Sequence, residues 1–166
     1  MKSKLKRLVR KHFSEVLVAV APEFQLMPAL TGELADIDVY SWRPNDEISL
    51  FLMFQPDQRY DCFYVEAAFS GKHLWPSFVV PGLPDDAPHD GELRFRITRL
   101  WDPKQNFAAW WIGKNFRDTK ASASPLEQTE SEQVASIPKV IENCRNRIVE
   151  YVIPYFQRVI QGIKSA

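Results

Sequence analysis

The sequence predicts an α+β domain with a mainly antiparallel sheet of four or five strands and with the N- and C-terminal helices packed together on one face. Near both ends of the chain, apolar residues recur every three or four positions, which is typical of amphipathic helices. Between the ends, apolar residues alternate with polar ones, which is typical of strands. At 166 residues, we predict a single domain over residues 1–166.

The first helix is predicted over residues 2–20 and ends before Pro22. It carries six Lys and Arg residues before the first acid, Glu15, so this segment has a charge of +6. Because the formal net charge is zero, the rest of the chain carries −6. Two interpretations stay open: a basic arm that binds nucleic acid or anionic lipid, or a solvated face that complements an acidic body. We favour the solvated face because charge runs usually face water.

A hairpin at residues 48–70 forms the centre of the predicted sheet. Its apolar residues alternate in two runs, and Pro56, Asp57 and Asp61 between them are typical of a turn. Alternation also predicts strands at 37–42 and 93–98. A short apolar segment predicts an edge strand at 24–28, and residues 107–112 stay either a fifth strand or a short turn of helix.

Residues 71–92 hold four prolines and three glycines in 22 positions, which excludes long regular elements. A connection of this length within a domain is uncommon and is often either functional or mobile. We expect its first half to pack down through its apolar residues and residues 85–90 to be exposed. The apolar residues are Leu74, Trp75, Phe78, Val79 and Val80.

The C-terminal third begins with a predicted flexible linker at residues 117–133, which has almost no apolar content. A long helical stripe follows from Ile137, with Ser136 as its expected N-cap and Pro138 in the first turn. Pro154 should kink this helix near Glu150 or split it in two.

The second face of the sheet combines aromatic, Met, Arg and Glu side chains, and its composition is that of neither a plain core nor a plain solvent face. This mixture is enriched at protein–protein interfaces. One interpretation is an open binding surface that includes Trp75 of the loop; the other is that Glu66 pairs with an arginine across the sheet and the loop covers the aromatics. The face is formed by Phe51, Met53, Gln55, Tyr64, Glu66, Arg94 and Arg96.

No catalytic, phosphate-binding or metal-binding motif is present in recognisable form, and we predict no catalytic residue, metal or cofactor. An enzyme stays an alternative, with Glu66 or the loop acids as its polar groups. The loop acids could hold a divalent metal, although they also fit turn chemistry. This cluster consists of Asp85, Asp86, His89 and Asp90.

The tryptophans Trp101, Trp110 and Trp111 could stack against bases or a sugar ring, although such residues are more often core. The cysteines, Cys62 and Cys144, show no metal-ligand spacing, and we expect both to be reduced.

Three short motifs carry a resemblance to known families: Met53 to Gln55, the segment DCFYVEAAFS at 61–70, and YVIPYFQR at 151–158. With the order of the elements, they resemble small bacterial α+β families of unknown function, some of which are similar to immunity proteins encoded beside polymorphic toxins. The resemblance covers about 40 residues. It implies a binding role and supplies no catalytic residues.

We therefore predict a bacterial, cytoplasmic, non-catalytic protein-binding domain of the immunity or adaptor kind, with a protein partner that could be a toxin. The acidic body could suit a basic nuclease. No segment is apolar over the roughly 20 residues of a membrane span, and we predict no membrane association. Nucleic-acid binding through the first helix is a further alternative, which the absence of a recognised motif disfavours. The sequence does not determine the oligomeric state.

Overall fold

A computed structural model describes residues 1–29, 31, 35–104, 109–113 and 129–164. It confirms the predicted α+β class. In chain order, the elements are α1 (Ser3–Val20), β1 (Gln25–Leu26), β2 (Asp38–Trp42), β3 (Ser49–Pro56), β4 (Cys62–Ser70), β5 (Glu92–Arg96), β6 (Trp110–Trp111), α2 (Glu130–Arg147) and α3 (Ile153–Lys164).

Within the described residues, the sheet has six strands, and every pairing is antiparallel. The strand order is β1-β2-β3-β4-β5, with the predicted hairpin, β3 and β4, at its centre. The outer edge of β4 is divided between two partners: β5 pairs with Glu66–Ser70, and β6 pairs with Cys62 and Phe63. Residues 110 and 111 therefore form a strand, whereas Phe107 of the same predicted segment lies outside the described residues.

One face of the sheet packs against the helices, as predicted. The buried stripe of α1 meets the apolar side chains of β3, and the rings of Phe13 and Phe54 lie 4.6 Å apart. Residues Ile137, Val140, Ile141 and Cys144 of α2 join the same core, which also contains Val65 and Phe95 of the sheet.

The cations of α1 mostly pair with acids from elsewhere in the chain. The ammonium of Lys4 lies 2.9 Å from Glu130, and Lys6 lies 2.5 Å from Asp36. The guanidinium of Arg10 lies 2.9 Å from Asp38 on β2. This arrangement is the one expected of a helix face that complements an acidic body, and it neutralises part of the −6 charge carried by that body.

The start of α2 differs from the prediction. Residues 130–133 are helical, so the predicted linker ends too late; its residues 117–128 lie outside the described part of the chain. The N-cap is Thr129 rather than Ser136: its hydroxyl accepts from the amide of Glu132, and Glu132 accepts from the amide of Thr129. Ser136 lies within the helix, where its hydroxyl donates to the carbonyl of Gln133.

The predicted interruption near Pro154 is present. Residues Ile148–Val152 form a π-helical turn between α2 and α3, in which the amide of Ile153 donates to the carbonyl of Ile148. Pro154 has no amide hydrogen for the carbonyl four residues earlier, and the wider turn accommodates this loss.

Candidate functional site

The strand register gathers the predicted binding residues on the second face, away from the helices. Met53, Glu66 and Arg96 occupy one row across β3, β4 and β5. Phe51 and Arg94 flank Ala68 in the next row. The structure thus brings together residues that lie more than 40 positions apart in the sequence.

Part of this face is covered, so the interpretation as a wholly open surface is wrong. Phe51 and Met53 are fully buried, and Trp75 from the loop after β4 is 7% exposed. The rings of Phe51 and Trp75 meet edge to face, 6.1 Å apart. These side chains form a second, smaller apolar core together with Ile37, Val39 and Ala68.

Glu66 lies between two arginines of β5. Its Oε2 is 3.4 Å from Nε of Arg94, and its Oε1 is 3.7 Å from Nε of Arg96. The carboxylate side chain is 9% exposed, and the arginine side chains are 16% and 22% exposed. The predicted cross-strand ion pair therefore forms with both arginines, and it leaves two positive charges opposite one negative charge.

Tyr64 lies opposite Gln55 in a further row, at the other end of the face. The guanidinium of Arg96 lies over its ring, with Cζ 4.0 Å from the ring centroid, which is cation–π geometry. The phenol donates to Oδ2 of Asp57 at 3.3 Å. Burial raises the pKa of Tyr64, and the neighbouring Cys62 and Asp57 raise it further, so the phenol stays protonated at neutral pH.

The loop that covers the face presents other apolar side chains to solvent. Leu74 is 65% exposed, Phe78 is 100% exposed and Val80 is 83% exposed. The expectation that the first half of the loop packs down holds for Trp75 and is wrong for these three residues. We call Leu74, Phe78 and Val80 the apolar rim. Residues 85–90 are exposed, as expected.

Specific contacts fix the position of the loop. Arg94 donates through one nitrogen to the carbonyls of Pro76 and Ser77, at 3.2 and 3.0 Å. The guanidinium of Arg94 also lies near the indole of Trp75, 5.8 Å from the ring centroid. The amide of Gly82 donates to the carbonyl of Arg94 at 2.8 Å. The rim therefore projects from a loop that is held at several points.

His73 ties the base of the loop to the sheet, a role that sequence reasoning missed. Its Nε2 is 3.1 Å from the carbonyl of Asp46, which can accept only, so a neutral His73 carries its proton on Nε2. Its Nδ1 then accepts from Ser49 at 2.9 Å. His73 adopts φ of 58°, an uncommon conformation for a residue with a side chain. No sequence motif marks this pair.

The Ser49–His73 pair has the hydrogen bond of a nucleophile and base, but it lacks access. Ser49 is 5% exposed, and its cross-strand neighbour Ser70 is fully buried. Ser70 in turn donates to Glu92 and accepts from the amide of Lys72. These contacts close the base of the loop.

The predicted loop acids form turn contacts. Asp86 accepts from the amide of Leu83, and His89 pairs with its neighbour Asp90 at 3.5 Å. In the part of the chain that the structure describes, no three His, Cys, Asp or Glu side chains converge as a metal site would require.

The tryptophans that were candidates for ligand stacking belong to the core or its edge. Trp110 is buried, its ring stacks on Phe63 at 5.6 Å, and its Nε1 donates to Asn143. Trp101 packs edge to face against Trp110, and the guanidinium of Arg147 lies over the ring of Trp101, 5.1 Å from its centroid.

An open recess of about 350 Å³ lies beyond the Tyr64 end of the face. It is lined by Asp36, Ile37 and residues 55–60, including Asp57, the acceptor of the Tyr64 phenol. Among the residues that line this recess, no nucleophile and base are in contact.

Comparisons with protein-family models, curated proteins and solved structures found no match to the chain. The resemblance to immunity-protein-like families thus stays a prediction. None of the helices that the structure describes has the length and apolar character needed to cross a bilayer.

Proposed function

We propose that the protein is a non-catalytic protein-binding domain of the immunity or adaptor kind, and that its partner docks on the apolar rim. The observation that carries this proposal is the exposure of Leu74, Phe78 and Val80 within seven positions of one loop, which Arg94 holds to the sheet. Exposed apolar side chains grouped in this way mark sites of interaction, whereas single exposed ones need no explanation.

The construction of the loop supports this proposal. Trp75 turns inward and Arg94 binds two loop carbonyls, so little further ordering is needed when a partner binds. Binding by a pre-formed surface avoids part of the entropy cost of association. The bacterial origin and a toxin as the partner rest on the resemblance of three short motifs and belong to the same proposal.

The two alternatives receive less support. Both oxygens of Glu66 face guanidinium groups, so ion pairs within the chain already occupy the carboxylate that a general base would need. Three cations of α1 already pair with acids of the same chain, which reduces the charge available to a nucleic-acid backbone.

The rim can be tested by capture with matched baits in cells that naturally express the protein. The test variant is Leu74→Ser/Phe78→Ser/Val80→Ser. The control is Val18→Ser/Val149→Ser, which removes exposed apolar side chains from α1 and from the π-helical turn. We expect wild type and control to recover one protein at stoichiometric level and the rim variant to lose it.

The recovered protein is then purified and titrated against each bait. We expect the rim variant to bind about tenfold more weakly or worse, which corresponds to the loss of one strong contact. Equal binding by the rim variant, or the absence of any stoichiometric partner, would overturn the proposal. Urea unfolding of all baits shows whether the rim variant keeps the fold.

A further inference from the structure

The second face carries more positive than negative charge next to the loop. Arg94 and Arg96 share one carboxylate, Glu66, and among the described residues no other acid lies within ion-pair distance of either arginine. All three side chains are mostly shielded from water. One positive charge therefore has no counter-charge within the cluster.

The same cluster contains N–H donors that lack acceptors. Nε of Arg94, Nη1 of Arg96 and Nε1 of Trp75 are shielded from water and have no hydrogen-bond partner in the described part of the chain. Trp75 is more than nine-tenths buried. Buried donors are almost always paired, because an unpaired one costs free energy. These donors and the excess positive charge both favour a ligand that is anionic and accepts hydrogen bonds.

The cationic cluster and the apolar rim are adjoining parts of one surface. Arg94 donates to the carbonyls of Pro76 and Ser77, and Phe78 follows directly in the chain. From Arg94 the contacts continue through Glu66 to Arg96 and then to Tyr64. A ligand seated on Phe78 would therefore lie near Arg94, which binds the two residues before Phe78.

We propose that the partner presents an acidic segment here, with an Asp or Glu carboxylate that binds the Arg94–Arg96 pair and an apolar side chain that packs on Phe78. Arginine guanidinium groups bind carboxylates strongly through charge-assisted hydrogen bonds. This inference rests on the proposed function and adds the chemistry of the partner. It also replaces the basic partner expected from the −6 body charge, because the Glu66, Arg94 and Arg96 cluster itself carries a net positive charge.

Short random peptides displayed as a library provide the probe, with the full chain as the target. We expect enriched peptides to combine an acidic residue with a neighbouring Leu, Phe or Trp. The best peptide is then synthesised in two forms, one with its carboxylates and one with Asn and Gln in their place. We expect the amide form to bind about tenfold more weakly, and this arm leaves the protein unchanged.

On the protein side, Arg96→Gln should weaken binding of the carboxylate peptide by about the same factor and should leave binding of the amide peptide almost unchanged. The matched control is Arg158→Gln, which removes an exposed cation on α3. The indole N–H signal of Trp75, assigned with Trp75→Phe, should shift when the carboxylate peptide binds. If Arg96→Gln fails to fold, the comparison of the two peptides decides.

Equal binding of the two peptide forms, enrichment of basic peptides or no enrichment would overturn this inference. The rim variant tests the proposed docking function separately from the acidic chemistry of the partner. A partner or peptide that depends on Leu74, Phe78 and Val80 but binds equally in its amide form leaves the docking function intact and removes only the acidic chemistry. If binding depends neither on the apolar rim nor on the carboxylates, both proposals are wrong.

Discussion

Trp75 and Phe78 lie three residues apart in one loop, yet Trp75 is 7% exposed and Phe78 is 100% exposed. Trp75 packs on Phe51 and Arg94, and the two carbonyls that accept from Arg94 belong to the residues between Trp75 and Phe78. One side chain therefore anchors the loop, and the other is free for contact with a partner. The two residues should respond differently to the same substitution.

Trp75→Ala should lower the free energy of unfolding by about 3 kcal/mol, because it removes a large buried side chain and leaves a cavity above Phe51. Phe78→Ala should change it by less than about 0.5 kcal/mol, because Phe78 has no buried contacts to lose. Urea unfolding measures both. Similar losses for the two variants would contradict the division of roles within the loop.

Glu66→Gln should destabilise the fold by about 2 kcal/mol, because two mostly buried guanidinium groups would lose their only counter-charge within ion-pair distance among the described residues. The control, Glu142→Gln, breaks an exposed ion pair with Arg145 on α2. This change should cost less than about 0.5 kcal/mol. An equal cost for both, measured by urea unfolding, would show that the buried charge balance contributes no more than a surface pair.

Thr129→Ala should cost about 1 kcal/mol, because it removes the hydroxyl that accepts from the amide of Glu132 in the capping box at the start of α2. Ser136→Ala is the matched control, since Ser136 was the N-cap expected from the sequence and in the structure lies inside the helix. It should be close to neutral. A larger loss of stability for Ser136→Ala than for Thr129→Ala in thermal or urea unfolding would indicate that α2 begins at the predicted position.

Stability should fall as the pH rises from 9 towards 12. Burial, and then the nearby Asp57, raise the pKa of the Cys62 thiol from 9.0 to about 12. In this interval the unfolded state loses the proton that the folded state keeps, so the free energy of unfolding decreases with pH. Burial raises the pKa of Tyr155 from 10.0 to about 12, which acts in the same direction.

Urea unfolding in reducing buffer, below pH 9 and within this interval, measures the slope. Cys62→Ala should make the dependence on pH shallower and should retain the part due to Tyr155. The substitution also removes a buried sulfur atom, so we expect the variant to be less stable at every pH. The test is therefore the slope of the free energy of unfolding against pH. An unchanged slope would show that the Cys62 thiol does not titrate as its burial predicts.

The helix-facing side of the sheet could be predicted because it depends on local alternation. Leu50, Leu52, Phe54, Val65 and Phe95 all face the helices, as the period of two indicated. The second face could not be assigned in the same way, because its burial depends on where a loop of more than 20 residues lies. Alternation shows which side chains share a face. What covers that face depends on contacts between residues that are distant in the sequence.

The start of α2 was missed although a signal was present. An apolar stripe begins at Ile137, and the prediction placed the N-cap beside it. The first turn of the helix, residues 130–133, is polar, and it is stabilised instead by the Thr129 and Glu132 pair, whose spacing is that of a capping box. The Ser49–His73 contact had no such signal, since the residues lie 24 positions apart.

The divided outer edge of β4 has a consequence for the order of folding. Its contacts with β3 cross a short turn and need little chain closure, whereas β5 and β6 reach it from about 25 and about 50 residues away in the sequence. Closing the longer loops costs more entropy, so the β3–β4 hairpin can form before either strand arrives. The second face, with its arginines and its covering loop, is therefore assembled late, on a hairpin that is already in place.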